Sequence, residues 1–341
     1  MLNFSEFKVY VENHLKEYMP DDWANVEISM VQVQKNNGLM LDGVVVKSEG
    51  SYIAPNIYLN NFFANYENGV ELSKIMDEIA KIAVESQEPQ MYTNIGRDFK
   101  NFDFIKDKVI MVAVNAKENE EMLRNTPHAI GADLAIIYKV MLEETDESYG
   151  TITIRNEHLN FWGATQEQLH ELALKNTPEL LPANILDLRG VIIDMLGTDE
   201  APAEEMVPSD MYDDVMFIVS NKAKINGAAV MFYPNNVLGK LAEKLGDNLY
   251  LLPSSIHETI AIRATGADPD ELAELVKEVN DTQVQRDERL SYHVYHYDAK
   301  SGVLSIADKA PVEMPDFMVA EDQAQYESKD KEQSHVRHNS R

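Results

Sequence analysis

The sequence predicts an α+β fold of mixed, largely antiparallel sheets with packed helices. Strand-length runs rich in β-branched residues come in pairs joined by Gly or Asn-Gly turns, which marks hairpins rather than crossover connections. Between those pairs lie segments whose apolar residues recur at three- and four-residue spacing, the period of a half-buried helix. Hydrophobic residues make up 44% of the 341, with only 15 Gly and 13 Pro. That supplies core volume for one large or two moderate domains.

The chain opens with an amphipathic helix carrying Phe4, Phe7, Val11, Leu15 and Met19. Asn3 or Ser5 caps it and Pro20-Asp21 ends it. The runs 26–34 and 39–47 alternate around Lys35 to Gly38, a hairpin in which Gly38 takes the positive φ. Tyr52 to Leu59 adds a strand broken by Pro55, and a helix from about Val70 to Val84 presents Leu72, Ile75, Met76, Ile79 and Ile82 on one face. The apolar runs 109–115 and 134–142 read as core strands, with the helical 119–125 between them. A further strand is expected at 151–156. Thr165, with Gln168 three residues on, has the pattern of a capping box and starts the next helix. Its buried stripe is Leu169, Leu172 and Ala173, with His170 and Glu171 on the flank.

The clearest composition break is GTDEAPAEEMVPSD at 197–210. It has the Pro-rich, acidic character of a linker, so the reading divides the chain into an N-terminal α+β region (1–200) and a C-terminal α+β region (201–308). The second region reads ββα-ββα-ββ. It comprises strands at 214–220 and 228–233 about the Asn226-Gly227 turn, a helix stopping at Gly246, two short strands from 248, a helix begun by Asp268-Pro269, and a closing hairpin at 290–307. Residues 309–341 are polar and of mixed charge, and are expected to be a disordered tail.

Fifty-eight Asp and Glu against 30 Lys and Arg give a formal charge of -28. Such a surface repels phosphate polyanions, which disfavours nucleic-acid binding. The absence of cysteine removes disulfides, thiolate metal ligands and a thiol nucleophile. The first 19 residues carry charges throughout and do not read as a signal peptide. No apolar run approaches the length of a membrane span. A cytoplasmic location and no membrane association are the expectations.

Residues 251–263 hold the densest reactive chemistry. Ser254, Ser255, His257 and Glu258 together contain a nucleophile, a base and an acid, and are the candidate catalytic residues. The competing reading is a turn, in which the serine hydroxyls bond backbone and His257 pairs with a carboxylate. His257-Glu258 and His170-Glu171 do not extend to H-E-x-x-H, because Ala261 and Leu174 stand where the second histidine would be. Neither a dinucleotide fingerprint nor a P-loop occurs, so no cofactor and no metal are assigned.

The runs 172–182 (LALKNTPELLP), 221–258 and 288–298 (ERLSYHVYHYD), with NIYLNNFFANYENG upstream, resemble a bacterial family of unknown function. LPSSIHE at 252–258 is the most specific part. The resemblance implies a cytosolic protein and carries over no catalytic residues. The expected function is therefore that of a non-enzymatic acidic protein that binds a protein partner. The alternative is a hydrolase or transferase centred on Ser254, Ser255, His257 and Glu258. A weaker one is a mimic of the nucleic-acid backbone.

Overall fold

The computed structural model describes residues 1–23, 25–47, 56–85, 99–142, 150–188 and 216–308, together with short strands at 312–313 and 318–319. It divides into two compact units, Met1–Ile105 and Lys106–Arg341.

In the first unit, α1 (Phe4–His14) starts on a capping box between Asn3 and Glu6 and continues into a 3-10 turn, Leu15–Tyr18. Strands β1 (Glu27–Gln34) and β2 (Met40–Lys47) pair in antiparallel register from Glu27↔Lys47 to Gln34↔Met40. Asn37 shares the left-handed region with Gly38 in the connecting turn, at φ 56° and 66°. β3 (Asn56–Tyr58) adds to the other side of β2. Helices α2 (Asn60–Glu67) and α3 (Leu72–Glu85) follow. Phe7, Val11, Ile75, Met76 and Ile79 pack against Val44, Val46 and Ile57 of the sheet. Each fully buried side chain of this size contributes on the order of 1.5–3 kcal/mol. Short α4 (Phe102–Ile105) closes the unit.

The second unit holds two antiparallel sheets. In one, β6 (Leu134–Met141) sits between β4 (Val109–Asn115) and β5 (His128–Gly131), with β7 (Thr151–Thr153) also on β6 and β15 (Met318–Val319) on β5. Short α5 (Glu120–Leu123) lies between β4 and β5 in sequence. In the other, the order is β14 (Val312–Glu313), β13 (Leu304–Ile306), β12 (Tyr295–Tyr297), β10 (Leu249–Leu252), β11 (Thr259–Arg263), β9 (Phe217–Asn221), β8 (Ala183–Asp187). Helices α6 (Asn156–Trp162) and α7 (Gln166–Leu180) precede β8, α8 (Val237–Leu245) precedes β10, and α9 (Pro269–Thr282) precedes β12. The capping box predicted at Thr165 and Gln168 is present.

β4 is an edge strand, yet every one of its residues is buried. Helix α7 runs along it. The Thr177 hydroxyl accepts from the Met111 amide at 2.9 Å, and Asn176 Nδ2 donates to the Val109 carbonyl at 3.3 Å. Side chains thus take up ladder groups that no further strand meets among the described residues.

One element, at 228–233, differs from the sequence reading. The boundary expected at 201 falls outside the described residues, and the strands flanking it, β8 and β9, pair in one sheet from Ala183↔Asn221 to Asp187↔Phe217. Residues 228–233 do not form the predicted strand: Gly227–Phe232 is a 3-10 helix. Both edges of β9 are already occupied, by β8 and β11, so a second hairpin strand has no ladder to join. In the expected tail, Val312–Glu313 and Met318–Val319 are strands, and the rest lies outside the described residues.

Candidate functional site

Ser254, Ser255, His257 and Glu258 fall on the connection between β10 and β11, which lies alongside residues 288–291. The Ser254 carbonyl accepts from the Leu290 amide at 3.0 Å, and the Ile256 amide donates to the Glu288 carbonyl at 2.8 Å. Ser255 Oγ accepts from the His257 amide at 3.1 Å. The His257 imidazole takes the Asn226 amide on Nδ1 at 3.3 Å and turns Nε2 toward Glu288 at 3.6 Å, while the His257 carbonyl accepts from Ser220 Oγ at 2.8 Å. Glu258 is exposed. Among the described residues, the polar neighbours of the imidazole are an amide and a carboxylate rather than either serine hydroxyl. Nucleophile and base are brought close in the chain but not into one hydrogen-bonded pair.

The arrangement makes His257 a support for the 221–227 loop. Asn221, fully buried, closes that loop by bonding both the amide and the carbonyl of Ile225. Asn226 then turns in the left-handed region at φ 50°, and Gly227 passes under Ser220 and His257 with no room for a side chain.

A different place in the second unit has the shape of a site. A cleft of about 570 Å³ opens between the β4–β6 sheet with α7 on one side and the 3-10 helix, α8, β12 and β13 on the other. That volume lies in the range of small-molecule pockets. Met111, Ile136, Leu174, Met231, Leu238 and Leu304 form much of its apolar lining. Among the described residues the lining contains no Asp, Glu, Lys or Arg.

Its polar groups are few and can be assigned roles. Tyr138 is fully buried, and its hydroxyl meets His170 Nδ1 at 2.9 Å. Burial, with a lesser push from Glu167, raises the phenol far above its ordinary range, so it remains an O–H donor. A buried hydroxyl that donated to nothing would cost about 1–3 kcal/mol. Nδ1 therefore accepts and the imidazole proton sits on Nε2. Burial also lowers the His170 pKa, against the opposing pull of Glu171, which favours the neutral ring. On the facing wall, Asn236 sits at φ 57° just before α8, with Gly239 leaving the space its carboxamide fills. The Tyr297 hydroxyl donates to Asn236 Oδ1 at 3.3 Å. Tyr233 and Ser301 are committed elsewhere, to the Leu181 carbonyl and to Asp298, each at 2.8 Å.

Deeper in the unit, a polar bridge ties the two sheets together. Asp133, in the β5–β6 turn, accepts from the hydroxyls of Tyr295 and Ser291, the latter at 2.7 Å. Asn115 Nδ2 and Asn280 Nδ2 hold the carbonyls of Leu290 and Ser291 at 3.0 and 2.9 Å. Burial first, then the charge of Asp133, pushes the Tyr295 phenol well up. Among the described residues no group of three or more His, Asp or Glu side chains could hold a metal, and no helix is long and apolar enough to cross a membrane.

Fold and site together define a two-unit α+β protein whose larger unit carries an open cleft lined by apolar side chains and neutral hydrogen-bonding groups. The chain belongs to a family of unknown function, DUF5688, whose family model matches residues 4–299. No curated protein and no solved structure matches it.

Proposed function

We propose that the chain is a binding protein and that the cleft of the second unit holds a small, mainly apolar ligand. The observation that carries this is the cleft itself: about 570 Å³, lined by apolar side chains from both sheets together with uncharged polar ones. The residues at 254–258 support the same reading, since their hydrogen bonds go to neighbouring backbone and loop. A hydrolase or transferase there would first have to bring a serine hydroxyl onto the imidazole, which meets the Asn226 amide and faces Glu288.

The test uses diphenylhexatriene, a hydrocarbon whose fluorescence rises in apolar surroundings. Wild-type protein is expected to bind it saturably, and Leu174→Trp, which puts an indole into the cleft, to lose most of that signal. Equal binding by the two proteins, or none by wild type, would refute the proposal.

A second reading, a protein partner with a basic surface, rests on α9. Glu271, Glu274, Glu278 and Asp281 border a shallow surface groove of about 540 Å³, with Leu275 exposed among them and Lys277 paired to Asp281 at 2.7 Å. Partner capture at low ionic strength is expected to fall with added salt and to be lost in a Glu271→Gln, Glu274→Gln, Glu278→Gln variant. Capture that survives all three substitutions rules α9 out as the contact.

A further inference from the structure

Helix α7 is bonded to its surroundings near both ends and in its first half, and the contact in the first half depends on a proton. At its start, the Gln166 carboxamide bonds the amide and the carbonyl of His128 at 3.0 and 2.9 Å. Toward its end, Asn176 and Thr177 bond the backbone of Lys106 and Met111 at 2.8 and 2.9 Å. Between them, the His170 imidazole stands edge-on to the Tyr138 ring, centroids 6.0 Å apart, and takes its hydroxyl on Nδ1. Carboxamides and hydroxyls keep their protons across the physiological pH range, whereas an imidazole does not.

That contact works in one protonation state. Tyr138 is fully buried, and among the described residues its hydroxyl has no other hydrogen-bond partner. A proton on His170 Nδ1 makes that nitrogen a donor, so two donors face each other. The phenol oxygen can turn to accept, but its own hydrogen then has nothing to receive it.

The charged groups nearby do not hold an imidazolium against Tyr138. Burial lowers the His170 pKa against the pull of Glu171. Glu167 and Glu171 lie on α7 itself and are exposed. Lys106, Asp107 and Lys108 belong to the turn that Asn176 meets, toward the far end of the helix. Lys139 follows Tyr138 on β6 and so stands on the opposite face of the sheet. The His128 ring turns to the Thr126 carbonyl. Across the cleft, Tyr233 and Tyr297 are the titratable groups, and the lining among the described residues has no Asp, Glu, Lys or Arg. The cleft is open to solvent and His170 is only half-buried in its wall, so water on that side hydrates the charge that the Tyr138 side rejects.

We infer that His170 and Tyr138 form an acid-operated latch: on taking up a proton the imidazole lets go of Tyr138 and swings into the open cleft, while Gln166, Asn176 and Thr177 keep α7 in place. The wall of the cleft then trades a neutral ring for a cation and uncovers the Tyr138 hydroxyl, whatever the cleft binds. The direction with pH follows from burial. Between the folded value and the ordinary histidine value of about 6.5, the native ring stays neutral while the unfolded chain takes a proton. The contribution to stability is therefore full above that window and falls as the pH drops through it.

NMR of the protein with isotope-labelled His and Tyr rings reads the latch directly. A cross-relaxation contact between the two rings at neutral pH assigns the pair. On acidification, His170 is expected to titrate below the ordinary histidine value, the Tyr138 ring signals to move with the same midpoint, and the contact between the rings to vanish. Methyl signals of Val112 and Leu123, on the other face of the sheet, should stay where they are. Tyr138→Phe, which keeps the ring and removes the donor, should raise the His170 midpoint, and His170→Gln should leave the Tyr138 signals flat over the same range. No ring contact at neutral pH, a contact that survives protonation of His170, or Tyr138 signals that ignore it would each overturn the latch. So would loss of the Val112 and Leu123 signals at that midpoint, since the unit would then be unfolding as a whole. The wild-type titration decides these points even if neither variant folds.

Discussion

Asp133→Ala is expected to destabilise the second unit by about 2–4 kcal/mol, from the loss of an acceptor shared by two buried donors. Tyr295 and Ser291 are both fully buried and both donate to the Asp133 carboxyl group. With that group gone, Tyr295 can turn to Ser291 Oγ, already 3.3 Å away, but one hydroxyl proton is then left without an acceptor. The bridge joins residues 158 and 162 positions apart, so its loss also loosens the join between the two sheets. Ser291 stays in place, because its Oγ also accepts from the His293 amide at 3.0 Å; adding Tyr295→Phe removes one orphaned donor, and the double variant should recover part of the loss even though it has fewer hydrogen bonds. Denaturant unfolding of the three proteins, wild type and the two variants, is the measurement. A single variant within about 0.5 kcal/mol of wild type would mean that the bridge is incidental.

Gly227→Ala is expected to cost about 3 kcal/mol, a large penalty for one added methyl group. The new carbon would be driven into Ser220 Oγ and the His257 carbonyl and would lie 2.9 Å from the Asn221 amide. Two of these are backbone atoms of β9 and of the connection into β11, and cannot swing aside. The bond from Ser220 to the His257 carbonyl would break in making room. Gly246→Ala is the control, since that glycine ends α8 at φ 67° with nothing within 4 Å of the added carbon. Its cost is purely conformational, about 1 kcal/mol. Equal unfolding midpoints for the two variants would show that the 227 passage is looser than drawn.

What could be read from the residues depended on how far apart the interacting partners are. The Thr165 capping box, the hairpin about Gly38 and the runs 109–115 and 134–142 are each specified within a few positions, and each is present. The β5–β6 hairpin escaped because its turn is Ala132-Asp133, with Ala132 rather than Gly at φ 53°. Residues 228–233 have strand-like composition, and only the occupied edges of β9 make a helix of them. The cleft left no local trace. His170 meets Tyr138 across 32 positions and Asn236 meets Tyr297 across 61, so no spacing rule could pair them. His170 lies one helical turn before Leu174, on the flank of the Leu169 and Ala173 stripe, where its spacing alone says nothing of Tyr138. Residues 254–258 stand out in the sequence because their polar side chains are adjacent in the chain, and in the fold their backbone bonds to 288–291.

The way α7 lies along β4 has a meaning beyond the unit's own packing. Val-Ile-Met-Val-Ala-Val-Asn is seven residues without charge, proline or glycine, the composition that recruits further copies into fibrils when its backbone is free. Asn176 and Thr177 occupy backbone groups along that margin with side chains that cannot extend the ladder. The helix that contributes His170 and Leu174 to the cleft also covers the margin of this strand, so the shape of the cleft and the cover of that edge rest on the same fifteen residues.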